Sequence, residues 1–146
     1  MRKMRGIATI EFAIVASVLM VLLFACIEFG RATYSFASLQ EGTRRAARLA
    51  AVCPVNDAKI VAAVNFMNVY GFTNANVGVD YLSSTGASLG AAPALVNIRY
   101  VRVSIVGFSL PLAIPLASTT LTSPAFTVTL PAESLGISDT GASTAC

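Results

Sequence analysis

The sequence predicts an α+β protein in which a long N-terminal helix is followed by a second short helix and a small antiparallel β-sheet. Three observations lead to this prediction. An apolar segment lies near the N-terminus, helix-favouring residues follow it to Val52 without a proline, and beyond Gly71 the composition shifts towards Val, Thr, Ser, Gly and Pro. The 146 residues suffice for one modest domain and an anchor. The mean hydropathy of +0.73 reflects the apolar segment and abundant alanine.

The apolar segment, residues 7–27, has the length of a transmembrane helix. Its 21 residues contain one charge, Glu11, and as an α-helix they span about 31 Å, which matches a hydrocarbon core of about 30 Å. Basic residues precede the segment and no comparable cluster follows at once, so the positive-inside rule predicts a cytoplasmic N-terminus and an exported remainder. We therefore predict a basic leader, residues 1–6, and a transmembrane helix, residues 7–29. The basic residues of the leader are Arg2, Lys3 and Arg5.

The same helix is predicted to continue outside the membrane over residues 30–53. Alanine and arginine are frequent there, although Gly30 and Gly42 weaken the helix locally. Glu28 and Arg31 are three residues apart and can pair at the membrane surface. Cys53-Pro54 ends the helix, because a residue before proline is displaced from the α region.

Residues 54–146 are predicted to form a small exported α+β domain with a polar C-terminal tail, residues 138–145. Asn56 or Asp57 can cap the second helix, which we expect to run to about Tyr70 and to stop at Gly71.

The sheet is predicted from runs of β-favouring residues. We expect strands at Val77–Leu82, at residues 95–108 with a bulge near Tyr100 and Val101, and at residues 126–130, where apolar residues alternate with threonine. Residues 110–124 contain three prolines and are predicted to be a loop or an edge excursion. The strands would pack as an antiparallel sheet on the exported half of the long helix.

The composition argues against catalysis and metal binding. The chain has no histidine, which removes the commonest general base and metal ligand, and its three cysteines match no zinc spacing. The net charge of +3 comes without a basic tract that contains interleaved aromatics. We therefore predict no enzymatic activity, no catalytic residue, no cofactor, no metal and no nucleic-acid partner.

The cysteines lie in different environments. Cys26 is expected to pack as a small apolar residue in the membrane. Cys53 and Cys146 would both be exported, where disulfides persist, and we favour a bridge between them. Such a bridge closes a 94-residue loop and is worth roughly 4–5 kcal/mol at most in the chain-entropy model. The alternatives are two free thiols, or a bond from Cys146 to another chain.

Glu11 requires an explanation, because a charge near a bilayer centre costs roughly 2.5–3.5 kcal/mol on insertion scales. If the chain is cut after Gly6, the new amine of Ile7 lies one helical turn from the Glu11 carboxylate and on the same face. An ordinary secretory signal has a shorter apolar core, and residues 23–26 resemble a lipoprotein signal only loosely because Phe24 is bulky. A plain signal anchor explains the length of the segment and leaves Glu11 unexplained.

Four segments carry a family resemblance. They are Arg5-Gly6-Ile7-Ala8-Thr9-Ile10-Glu11-Phe12-Ala13, Ile27-Glu28-Phe29-Gly30-Arg31, Thr43-Arg44-Arg45-Ala46-Ala47-Arg48 and Thr129-Leu130-Pro131-Ala132-Glu133-Ser134-Leu135-Gly136. The chain resembles the TadE-like pseudopilins of tight-adherence (Tad, or Flp) type IV pilus systems, and its fold is therefore expected to be pilin-like. Major pilins of this branch usually have tyrosine after the glutamate, whereas this chain has Phe12, which favours a pseudopilin or minor pilin.

The resemblance implies a processing and assembly pathway. A prepilin peptidase would cut between Gly6 and Ile7, and Glu11 would then attract the amine of a neighbouring subunit or of its own Ile7. The implied location is the bacterial inner membrane, with one span, a cytoplasmic N-terminus and a periplasmic domain, or the pilus itself. The implied partners are the peptidase, other pseudopilins, the major pilin, the inner-membrane assembly platform and membrane lipid.

Two further points stay open at the level of the sequence. Arg44, Arg45 and Arg48 form either a solvated helix face or a docking face for an acidic surface on a neighbouring pilus component. The alternative to a pseudopilin is an uncleaved single-pass membrane anchor that presents a small exported binding domain.

Overall fold

The computed structural model describes residues 5–114 and 117–146. Most of the predicted leader, residues 1–4 with Arg2 and Lys3, therefore lies outside the described residues. Within them, a long apolar helix, a short second helix and two small antiparallel sheets form a mixed fold. This architecture confirms the predicted α+β class.

The long helix, α1, runs over Arg5–Val52 without interruption. It ends where the sequence predicts, directly before Cys53-Pro54. Two parts of it differ in their surroundings: residues 7–27, hereafter the apolar half, and residues 32–51, hereafter the packed half. The short helix α2 spans Ala58–Ala62.

The larger sheet consists of β1 (Val77–Leu82), β2 (Tyr100–Ile105) and β5 (Thr127–Pro131) in the order β1-β2-β5. Both pairings are antiparallel, with Val79 opposite Val103 and Val103 opposite Val128. The smaller sheet is a hairpin of β3 (Ser109–Ile114) and β4 (Ala117–Thr122). Short 3₁₀ turns at Asn74–Asn76 and Leu95–Asn97 precede β1 and β2.

The domain covers one face of the packed half. Val101, Val103 and Ile105 alternate along β2 and are all buried in the same core, and β2 and β5 both contact α1. Most of the covered positions on α1 are small, and they recur at helical spacing. They are Ala32, Ser35, Ser38, Leu39, Gly42, Thr43, Ala46, Ala47, Ala50 and Ala51.

The second helix is shorter than predicted. Asp57 caps α2 as expected, since its Oδ1 accepts a hydrogen bond from the Lys59 amide at 2.8 Å. Beyond Ala62 the chain forms turns instead of continuing to Tyr70. The Asn65 side chain accepts from the Val69 amide at 2.8 Å, and Asn68 has a φ of 50°. A side chain that bonds the backbone in this way competes with helical hydrogen bonds.

Two strand predictions are also corrected. Residues 95–97 form a 3₁₀ turn, and the strand begins only at Tyr100. From Tyr100 onward β2 pairs residue by residue with both neighbours, so it has no bulge near Tyr100 and Val101. Residues 110–124, predicted to be a loop or an edge excursion, contain most of the β3–β4 hairpin. Pro111 is accommodated in β3 because the hairpin has only two strands, so one edge of β3 has no neighbouring strand. At that edge the missing amide hydrogen of proline costs no hydrogen bond of the sheet.

The end of α1 is capped by a segment from the other end of the chain. The amide of Glu133 donates to the Ala51 carbonyl at 2.9 Å, and the amide of Gly136 donates to the Val52 carbonyl at 2.6 Å. The Ser134 hydroxyl donates to the Val52 carbonyl as well, at 3.1 Å. Carbonyls that every helix leaves unpaired at its C-terminus are thereby satisfied.

Gly42 lies at the tightest contact of the packed half. A Cβ atom placed on Gly42 would lie 2.0 Å from the backbone oxygen of Val64, whereas one on Gly30 would meet nothing within 4 Å. The chain after α2 therefore approaches the helix more closely than any side chain at position 42 permits.

We predict that Gly42→Ala destabilises the domain and that Gly30→Ala does not. The first substitution forces backbone apart and should cost about 1–3 kcal/mol or more, as overpacking does. The second removes a helix-weakening glycine from an open position and should be neutral or stabilising by about 0.5–1 kcal/mol. Denaturant unfolding of the two full-length variants in detergent measures the difference; equal stabilities would contradict the close contact.

Candidate functional site

The apolar half of α1 is a bare helical surface. Its large side chains are roughly half to three-quarters exposed, Phe12 most of all at 74%. In the described part of the chain, α1 is long and apolar enough to cross a membrane, and none of its most apolar window is buried inside the protein. An exposed apolar surface of this size calls for lipid or another apolar partner, and the helix is consistent with a single-pass membrane protein.

The three residues of the predicted processing and pairing site lie in the first turns of α1. Gly6, Ile7 and Glu11 are all exposed, and Ile7 and Glu11 are separated by one helical turn. In the uncut chain the nitrogen of Ile7 is a peptide amide and carries no charge. Among the residues that the structure describes, Glu11 takes part in no salt bridge. The structure thus leaves this carboxylate at the surface of an apolar helix.

Glu28 and Arg31 mark the end of the apolar half and bind the β3–β4 hairpin. Their side chains pair at 2.7 Å, as the spacing predicts. The Arg31 guanidinium also donates to the Pro111 carbonyl, and Glu28 accepts from the Ala113 amide at 3.2 Å. Sequence reasoning missed this second role, and no local signal could have shown it, because the partners are 80 and 85 residues away.

The three arginines of the packed half have different surroundings. Arg45 pairs with Glu41 at 3.1 Å, and its guanidinium lies 4.0 Å from the centre of the Phe66 ring. Arg44 and Arg48 are exposed. Arg45 and Arg48 face a largely apolar groove of about 650 Å³. The other residues that line it are Leu49, Ala51, Val52, Ala63, Phe66, Leu130, Pro131 and Glu133.

The cysteines lie in two separate regions. Cys53, which is fully buried, and Cys146, which is exposed, form a disulfide with their Cα atoms 5.6 Å apart. The bond attaches the end of the chain to the residue that follows α1. Cys26 is a free, exposed cysteine in the apolar half.

The described residues hold no arrangement suited to a metal. Across residues 5–114 and 117–146, no three His, Cys, Asp or Glu side chains come together in a group that could bind an ion. The features that stand out are therefore surfaces: the apolar half with Glu11, the hairpin at Glu28 and Arg31, and the arginine-lined groove.

We predict that Cys146→Ser lowers the stability of the oxidised protein by about 2–5 kcal/mol, as loss of a native disulfide does in small exported domains. Cys26→Ser is the matched control, and it should change the free energy of unfolding by about 0.5 kcal/mol or less because Cys26 lies on an open surface. Alkylation of the native, unreduced protein gives a second readout. Modification of Cys26 alone is expected, and modification of all three cysteines would contradict the bridge.

Comparison with known proteins gives one match. The family model of TadE-like proteins matches residues 6–48, which confirms the resemblance over the apolar half and most of the packed half. The TadE-like family is associated with tight-adherence pilus systems. No curated protein matches the chain, and no solved structure does.

Proposed function

From the premise that residues 6–48 are a TadE-like segment, we propose that this protein is a pseudopilin or minor pilin that acts in assembly of a tight-adherence pilus. The observation that carries the proposal is Glu11, an exposed carboxylate one turn inside a bare apolar helix that follows a basic leader. A plain anchor gains nothing from this charge and bears its cost in the membrane.

Processing supplies the missing cation. A prepilin peptidase cuts between Gly6 and Ile7 on the cytoplasmic side, which removes the basic leader and creates a charged α-amine on Ile7. Gly6 supports this step, since a Cβ there would meet nothing within 4 Å and glycine lets a protease approach the backbone. After cleavage the amine and Glu11 are the charges at the start of an otherwise apolar helix.

Glu11 then sets the register between subunits. In the apolar half, the carboxylate of one subunit attracts the Ile7 amine of its neighbour as the subunits leave the membrane. Low dielectric strengthens this attraction, and it makes a carboxylate without a partner costly. The competing arrangement is a pair between Glu11 and the amine of its own chain, which satisfies the charge without linking subunits.

The domain faces the periplasm and contacts other pilus components. Residues 7–27 span the bacterial inner membrane once, with the N-terminus in the cytoplasm by the positive-inside rule. The proposed partners are other pseudopilins, the major pilin and the assembly platform. Arg44, Arg45 and Arg48 are all exposed and would meet an acidic surface of such a component, and Arg45 and Arg48 also line the groove.

We predict that the mature protein begins at Ile7 only in cells that contain the pilus peptidase. N-terminal sequencing of the membrane-extracted protein, from cells with and without the peptidase, measures this. A start at Met1 in both strains would overturn the proposal and favour the alternative, an uncleaved anchor that presents an exported binding domain.

We predict that Glu11→Gln is processed normally and no longer supports piliation. Loss of one partner from a buried ion pair costs about 3–5 kcal/mol, which is large for a contact repeated between subunits. Asp80→Asn is the control, since it removes an exposed acid outside the apolar half and away from the arginine groove. Processing is followed by N-terminal sequencing and pili are counted by electron microscopy; normal piliation in the Glu11 variant would refute intersubunit pairing.

A further inference from the structure

We propose that the β3–β4 hairpin enters the lipid interface beside α1 and gives the domain a second contact with the bilayer. The inference rests on the proposed placement of residues 7–27 in the membrane. It assigns a surface and a partner, membrane lipid, to a hairpin that lies outside the segment matched by the family model.

The hairpin runs along α1 towards the apolar half. Along β3, Pro111 is hydrogen-bonded to Arg31, and Ala113, two residues later, is hydrogen-bonded to Glu28. The chain therefore descends along α1 towards the N-terminus. Since Glu28 directly follows the apolar half, Ala113 lies level with its end, and β3 continues beyond Ala113 to Ile114.

The composition of the hairpin suits an apolar interface. Residues 103–132 contain no aspartate, glutamate, lysine or arginine, so the whole hairpin is uncharged. Two-stranded hairpins are marginal in water, and soluble sheets usually protect their edges with charges, lysine above all. Leu110 of β3 packs into the protein core, and the exposed side chains of the hairpin include Pro111, Ala113, Thr119 and Thr120, which are small and uncharged. A hairpin without charges can approach lipid at little electrostatic cost.

Backbone groups of β3 also have hydrogen-bond partners within the protein, as a site with little water requires. On the side facing β4, the residues pair without a break from Ser109 opposite Thr122 to Ile114 opposite Ala117. On the side facing α1, Pro111 has no amide hydrogen, its carbonyl accepts from Arg31, and the Ala113 amide donates to Glu28. Unpaired backbone groups are costly near hydrocarbon, and these contacts lower that cost at Pro111 and Ala113. Glu28 and Arg31 also neutralise each other at 2.7 Å.

Tryptophan fluorescence tests the proposal, because the chain contains no tryptophan. Single reporters are introduced as Ala113→Trp in β3 and Thr119→Trp in β4; both positions are exposed, and Thr119 pairs with Leu112. The full-length protein is reconstituted in phosphatidylethanolamine and phosphatidylglycerol vesicles that contain lipids brominated either near the headgroup or deep in the acyl chain. The intact Cys53–Cys146 disulfide and a native circular dichroism spectrum show that each variant is folded.

Two control reporters complete the design. Leu19→Trp lies in the middle of the apolar half and reports membrane insertion of α1 itself. Val96→Trp is 74% exposed in the turn before β2. That turn lies at the far end of the sheet, since Tyr100 pairs with Pro131 and Glu133 reaches the end of α1.

The expected result is quenching of both hairpin reporters by shallow bromines, with a blue shift of their emission, while Val96→Trp is unaffected and Leu19→Trp is quenched by deep bromines. Hairpin reporters as unquenched as Val96→Trp, with Leu19→Trp quenched, would overturn the hairpin contact and leave the membrane placement of α1 intact. A blue shift without bromine quenching would place the hairpin against protein and overturn the inference as well. Failure of Leu19→Trp to be quenched would overturn the membrane placement and the inference together.

Discussion

Close approach to one face of α1 is the constraint on which the folded domain after the helix depends. At Gly42 the Val64 carbonyl occupies the space where a side chain would begin, and much of the covered stripe is alanine and serine. Small residues let the sheet and the chain after α2 lie directly against the helix backbone, where dispersion contacts are dense. Larger side chains there would separate the layers and expose the alternate apolar residues of β2.

The same helix meets two environments, and the change between them is marked by Glu28 and Arg31. On the N-terminal side of this pair the exposed side chains are large and apolar, and on its C-terminal side one face of the helix is buried by the rest of the domain. The pair joins the two parts, because it holds the β3–β4 hairpin against the helix at the level where the surroundings change. Two charged residues and two backbone groups thus hold the hairpin at the level where the apolar half ends.

The sequence was most informative where the signals are local. The length of α1, its stop before Pro54 and the bounds of β1 follow from composition, proline sterics and alternation, and the structure agrees with each. Glu11 stood out because a charge in an apolar run needs a reason. Residues 110–124 were predicted to be a loop or an edge excursion because of their prolines, whereas Pro111 is tolerated at the open edge of a two-stranded sheet. The second helix was overestimated because periodicity does not show that the chain beyond Ala62 forms turns, in which the Asn65 side chain accepts from the Val69 amide.

Residues 133–146 cover the C-terminal end of α1. Glu133, Ser134 and Gly136 donate hydrogen bonds to the last two carbonyls of α1. The disulfide joins Cys53 to Cys146. A Cβ on Gly136 would lie 2.5 Å from the Pro54 ring, so this segment packs directly against Pro54, at the end of α1. Loss of residues 133–146 would therefore leave the last carbonyls of α1 and the buried Cys53 thiol without the partners that they have here.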